Sequence, residues 1–143
     1  MKTYLGLDLG SKTLGVSISS SGIIATALDT YRFKENDYTE AISIVLQLIK
    51  EYRVNIIVLG LPKHMNNDLG IRGQISLDFK QKIEAINPNI DIILWDERLS
   101  TRTAIKTMIK GSESRKNQKL KKDELAAVVI LQNYLDYKGA KPC

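Results

Sequence analysis

The 143-residue chain is 43% hydrophobic and 26% charged, the balance of an ordinary globular protein, and its length predicts one domain, residues 1–143, burying roughly 70% of the unfolded surface. The lone cysteine, Cys143, excludes an internal disulfide, and no apolar run approaches the roughly 18 residues of a membrane span. The opening residues 1–10 alternate and carry Asp8, unlike a secretory leader, so a cytoplasmic protein in a reducing compartment is expected.

The net charge of +5 is unevenly placed. Arg98, Arg102, Lys106, Lys110, Arg115, Lys116, Lys119, Lys121 and Lys122 stand against one acid, Glu113, in a single stretch, leaving 12 bases and 15 acids elsewhere. Such a patch attracts polyanions, nucleic acid foremost, although a solvated lysine-rich loop has the same composition.

Residues 3–9 read as a central strand, Thr13 to Ser19 as its alternating partner, and Ile23 to Thr30 as a third strand after the Ser20-Ser21-Gly22 turn. The period then changes: Ala41, Ile44, Val45, Leu48 and Ile49 recur at helical spacing over Tyr38 to Tyr52. Val54 to Leu61 is an apolar run suited to a doubly buried strand. A polar loop follows, then a helix from Ile71 to Ile86 stopped by Asn87-Pro88-Asn89. Ile90 to Trp95 is the fifth strand, Ser100 caps a predicted third helix through Ile109, 111–122 reads as a basic loop, and Asp123 to Tyr137 is a strongly apolar final helix. The order β-β-β-α-β-α-β-α-α predicts an α/β fold with a mixed five-stranded sheet and helices on both faces.

Three carboxylates sit in unusual places. Asp8 lies inside a strand between Leu7 and Leu9, where an unpartnered charge is costly, although a frayed strand end capping the Gly10 turn would also accommodate it. Glu97 follows an apolar strand at its carboxyl end, where ligands of open α/β sheets gather, or it is a loop acid pairing with Arg98. Adjacent Asp96 must point to the other face. Asp123 opens the last helix on the side of Ala126, Ala127 and Ile130, but Asp is also a favoured N-cap and Glu124 competes with it. Convergence of the three would set them repelling one another, and a divalent cation with oxygen ligands, Mg²⁺ or Mn²⁺ and as a pair of ions, would reverse that penalty. One histidine, His64, and one cysteine exclude the usual zinc sets, and no G-x-S-x-G elbow supports a serine nucleophile.

The segments Gly6 to Ser17 (GLDLGSKTLGVS), Gly60 to Pro62 (GLP), Trp95 to Thr101 (WDERLST) and Asp123 to Leu131 (DELAAVVIL) together resemble, nearly end to end and in order, the YqgF-like (RuvX) family. The resemblance implies a ribonuclease H-like fold and a metal-dependent nuclease in which Asp8, Glu97 and Asp123 are the catalytic, metal-holding acids. It further implies that Lys12, Arg98, Ser100 and Thr101 hold phosphate or order the site, and Arg102 continues the basic stretch beside them. Better-characterised resolvases of this fold carry a glutamate on the fourth strand, where this chain reads Gly60-Leu61-Pro62, so completing the acidic set rests on Glu97 from the next strand. Family members are described either as Holliday-junction resolvases or as nucleases maturing the 5′ end of pre-16S ribosomal RNA. The resemblance favours the second, and a lesser point agrees: junction resolution normally needs a symmetric dimer, and no extra dimerisation helix is evident. A monomer or weak homodimer is expected, with no membrane partner.

Two other classes fit part of the sequence. The D-L-G-S-K-T opening (Asp8 to Thr13) also looks like the phosphate loop of actin, hexokinase and heat-shock ATPases, which clasp nucleotide between two such domains. A non-catalytic RNA-binding assembly factor would keep the fold and the basic stretch without using the acids.

Overall fold

The computed structural model describes residues 2–61, 70–96 and 122–140. The strands are β1 (Tyr4–Leu9), β2 (Thr13–Ser19), β3 (Thr26–Arg32), β4 (Ile56–Leu61) and β5 (Asp91–Asp96), and the helices are α1 (Tyr38–Tyr52), α2 (Gly70–Ile86) and α3 (Lys122–Ala140). The sheet runs β3-β2-β1-β4-β5. β1, β2 and β3 are antiparallel neighbours, whereas β4 and β5 join β1 in parallel. This is the mixed sheet the element order predicts. The expected third helix (from Ser100), residues 111–121 of the basic loop and His64 fall outside the described residues, while Lys122, expected in that loop, opens α3.

Alternation along β1 divides the molecule. Leu5, Leu7 and Leu9 pack with Leu14, Val16, Ile57, Leu59, Ile92 and the inner sides of α1 and α2. Tyr4 faces the opposite way, with Ile56, Val58 and the α3 residues Val128, Ile130, Leu131 and Leu135. Helices therefore cover both faces, α1 and α2 on one and α3 on the other, because β1 and β4 are apolar on both sides. Five consecutive residues of α3, Ala127 to Leu131, are buried, more than one apolar stripe supplies, so the helix is covered on several sides.

Local chemistry accounts for the boundaries that differ from expectation. Ile23 and Ile24 belong to a turn and not to β3: Gly22 has φ +76°, and Ser21 Oγ accepts from the Ile23 and Ile24 amides at 3.1 and 3.2 Å. Both isoleucines are exposed, at 70% and 63%. β4 begins at Ile56 and not Val54, because Arg53 closes α1 in the left-handed conformation (φ 52°) and Val54 donates back to the Ile49 carbonyl. β5 is shifted by one residue to Asp91–Asp96, and α3 runs past Tyr137 to Ala140. Among the described residues no helix is long and apolar enough to cross a membrane.

Asp37 caps α1, its carboxylate accepting from the Glu40 amide at 3.2 Å. Asp37→Ala is expected to cost about 1 kcal/mol, read as a lower urea midpoint at unchanged slope.

Candidate functional site

The site is built where α3 crosses β1. A Cβ on Gly6 would lie 2.3 Å from Ser17 Oγ, 2.7 Å from Leu131 Cβ and 2.9 Å from the Ala127 carbonyl oxygen. Glycine is thus required for the helix backbone to come this close. Ser17, paired with Gly6 across the β1–β2 ladder, is fully buried and donates its hydroxyl to the Ala127 carbonyl at 2.8 Å. That bond satisfies the hydroxyl and ties the helix to the sheet at one point.

The direction of α3 follows from its far end. Tyr4 stacks against Tyr134 with ring centroids 6.4 Å apart. Lys138 hydrogen-bonds the Tyr4 hydroxyl, which raises the lysine above its ordinary pKa, and its ammonium lies 4.7 Å from the Tyr4 ring centre. Going from Tyr4 to Gly6 thus carries the contact from Tyr134 and Lys138 back to Leu131 and Ala127, so α3 runs antiparallel to β1. Asp8 lies two residues beyond Gly6 on the same side of the strand, a step of roughly 6.7 Å. The backbone of Asp123 lies four residues before Ala127, a step of roughly 6 Å in the same direction. Both advance from one notch toward the carboxyl edge of the sheet.

Asp8 is half-buried and pairs across the ladder with Gly15, so no neighbouring side chain from β2 crowds its place. The opening turn of α3 adds backbone N–H groups and the positive end of a helix to that edge. The Asp8 carboxylate is a hard oxygen donor, which fits a Mg²⁺-like cation and does not fit a soft one, whereas the N–H groups of α3 suit the oxygens of a phosphate. Asp96 pairs with Leu61, while Ile93 and Trp95 pack on the α3 side. Strand parity therefore turns Asp96 away from Asp8, as expected.

Lys12 is exposed in the turn after β1, where its carbonyl accepts from the Phe33 amide at 2.9 Å. Lys122 and Asp123 lie on the first turn of α3. Glu97, Arg98, Ser100, Thr101, Arg102, Arg115, Lys116, Lys119 and Lys121 are outside the described residues. Among the described residues no group of three or more His, Cys, Asp or Glu gathers, and the expected set takes Glu97 from beyond them. In the sequence Gly6, with Gly10 and Ser11, reads as room for a ligand to approach the backbone beside Asp8, whereas the structure fills the space over Gly6 with α3; the role of Ser17 is missed, and a small residue opposite an Ala-Ala helix start is the available signal.

Gly6→Ala is expected to cost about 3 kcal/mol, and adding Ser17→Ala should restore only part of this, since Leu131 and Ala127 still block the new methyl. Urea unfolding of both variants checks it. An unchanged midpoint for Gly6→Ala would mean that α3 does not seat in this notch.

The family model described as "RuvX: Holliday junction resolvase" matches residues 2–137. A protein of Onion yellows phytoplasma (strain OY-M) named "Putative pre-16S rRNA nuclease" is 52% identical over 134 residues, covering 93% of this chain and 88% of its own length. A protein of the same name from Staphylococcus epidermidis (strain ATCC 12228 / FDA PCI 1200) is 46% identical over 133 residues, covering 92% and 94%. Among solved structures the chain is similar to T. thermophilus RuvC in complex with Holliday junction substrate, with a TM-score of 0.67 at 13% identity and complete coverage of both chains. The Thermus thermophilus RuvC structure gives a TM-score of 0.63 at 14% identity, with 99% of each chain covered. At those identities the likeness is one of fold, the ribonuclease H-like α/β architecture. The match along nearly the whole sequence, with close relatives over the same span, means that the chain belongs to the RuvX family.

Proposed function

We propose that the protein is a metal-dependent nuclease that hydrolyses phosphodiester bonds as a single domain, acting in 5′-end processing of pre-16S ribosomal RNA. The observation that carries this reading is the common advance of Asp8 and the start of α3 from the Gly6–Ser17 notch. Curated relatives named for pre-16S rRNA point to the substrate.

In this reading Asp8, Glu97 and Asp123 hold one or two Mg²⁺ or Mn²⁺ ions, and Gly6 and Ser17 fix the depth at which Asp123 approaches Asp8. When bound, such ions activate the attacking water and stabilise the leaving oxygen of a phosphodiester. Lys12 on the β1–β2 turn, with Arg98, Ser100, Thr101 and Arg102, orients the phosphate. Arg115, Lys116, Lys119, Lys121 and Lys122 draw in the backbone by charge, which selects neither sugar nor sequence. The family description supports a second reading, resolution of a DNA four-way junction, which would call on two sites in a symmetric dimer.

The test incubates purified protein and Asp8→Asn with a pre-16S RNA fragment and with a four-way DNA junction, in Mg²⁺ or Mn²⁺. Cleavage of the RNA that falls at least about 100-fold in Asp8→Asn, with binding retained, is the expected result. Lys121→Glu with Lys122→Glu should instead weaken binding and flatten its salt dependence. Cleavage of the junction alone would transfer the role to DNA. Binding without cleavage by either protein would make it an assembly factor.

A further inference from the structure

Gly10 donates its amide to the Thr13 carbonyl at 2.8 Å, closing a two-residue turn over Ser11 and Lys12. Peptide groups alternate in direction along an antiparallel ladder, so Leu9, one residue earlier, turns its carbonyl away from β2 and toward β4. The β1–β4 pairing has ended by then, its last pair being Leu7 with Leu59. A strand carbonyl at this point needs a donor from elsewhere, and Arg72 supplies it: one guanidinium nitrogen lies 2.9 Å from the Leu9 oxygen.

The same guanidinium reaches a second way. Its other terminal nitrogen donates to the Tyr38 hydroxyl at 3.1 Å. Tyr38 in turn donates to Asn36 Oδ1 at 3.3 Å, and the Asn36 amide donates to the Ser11 carbonyl at 2.8 Å. Asn36 makes this contact in the left-handed conformation, φ 62°. Arg72 thus grips the β1–β2 turn from both ends, directly at Leu9 and through Tyr38 and Asn36 at Ser11. Between those points lies Gly10, immediately before them is Asp8, and immediately after is Lys12. A planar fork with fixed donor directions suits this two-way grip better than a lysine ammonium does.

We propose that Arg72 is a positioning residue for the nuclease site, setting the Asp8 end of β1 and the Lys12 turn through a two-armed brace without touching substrate. The proposal rests on the nuclease reading of Asp8 and Lys12. It places one determinant of the site on α2, across the sheet from α3, so that both layers of helix hold the same strand end. Displacement of a reacting group by about 1 Å costs on the order of 100-fold in rate, so loosening this brace should lower turnover more than affinity.

The experiment compares Arg72→Ala, Arg72→Lys and Tyr38→Phe with the unaltered protein in cleavage kinetics, and in amide exchange of the metal-free proteins. Arg72→Ala should lower kcat by about tenfold or more with KM changed less than about twofold. Arg72→Lys should recover part of that loss and Tyr38→Phe should lose less. In the metal-free Arg72→Ala protein the Gly10 and Asn36 amides should exchange about tenfold faster while Ile130 in α3 is unaltered. A rise in KM at constant kcat would make Arg72 a substrate contact and overturn the proposal. Unaltered Gly10 and Asn36 exchange would overturn it as well, whether or not the protein cleaves anything. Loss of the nuclease reading shows separately, as absence of cleavage by the unaltered protein.

Discussion

Much of this molecule follows from one close approach, that of α3 to β1 at Gly6. A side chain there would overlap the Ser17 hydroxyl, the Leu131 side chain and the Ala127 backbone, so the helix seats as deep as backbone on backbone allows. At the notch Ser17 donates a hydrogen bond to the Ala127 carbonyl, and farther along α3 Gln132 accepts from the Ala25 amide and Lys138 bonds the Tyr4 hydroxyl. Hydrophobic burial of Val128, Ile130, Leu131 and Leu135 supplies the attraction, and the Ser17 hydroxyl fixes the register along the helix. The position of the first turn of α3 at the carboxyl edge of the sheet depends on that register, since it lies one turn upstream of Ala127.

The two faces of the sheet then serve different ends. The α1–α2 face is a continuous aliphatic core with Phe33, Phe79 and Ile83, and it holds the strands in place. The α3 face is thinned by glycine at position 6 and by Gly15 beside Asp8, which leaves room for charge next to an otherwise apolar strand. An acid in that setting is costly to ionise unless something positive joins it. The alternation of one strand divides the molecule: Leu5, Leu7 and Leu9 go to the α1–α2 core, while Gly6 and Asp8 are on the α3 side.

Legibility of the sequence tracked the length over which a pattern persists. α1 and β2 were readable to the residue because helical spacing runs unbroken through Tyr38 to Tyr52 and alternation through Thr13 to Ser19. β3 was misplaced at its start because Ile23 and Ile24 have strand-like side chains, whereas Gly22, the Ser21 hydroxyl and Gln132 decide the backbone there. Gln132 comes from more than 100 residues away, and no local pattern reports it. Asp8 stood out because a carboxylate interrupts an apolar run. Arg72 did not, because an arginine near the start of a helix is commonplace until its partners, Leu9 and Tyr38, are seen. Parity lets only one of Asp96 and Glu97 face Asp8, and Ile93 and Trp95 on the α3 side put Asp96 on the opposite face.

The central claim is that Asp8 and the start of α3 share a cation. Crystals of the protein soaked in Mn²⁺, with anomalous scattering recorded at the manganese edge, test it without reference to any substrate. Density bridging the Asp8 carboxylate and Asp123, lost in Asp8→Asn crystals, is the expected result. Manganese bound elsewhere with Asp8 bare, or density that persists in the variant, would contradict it.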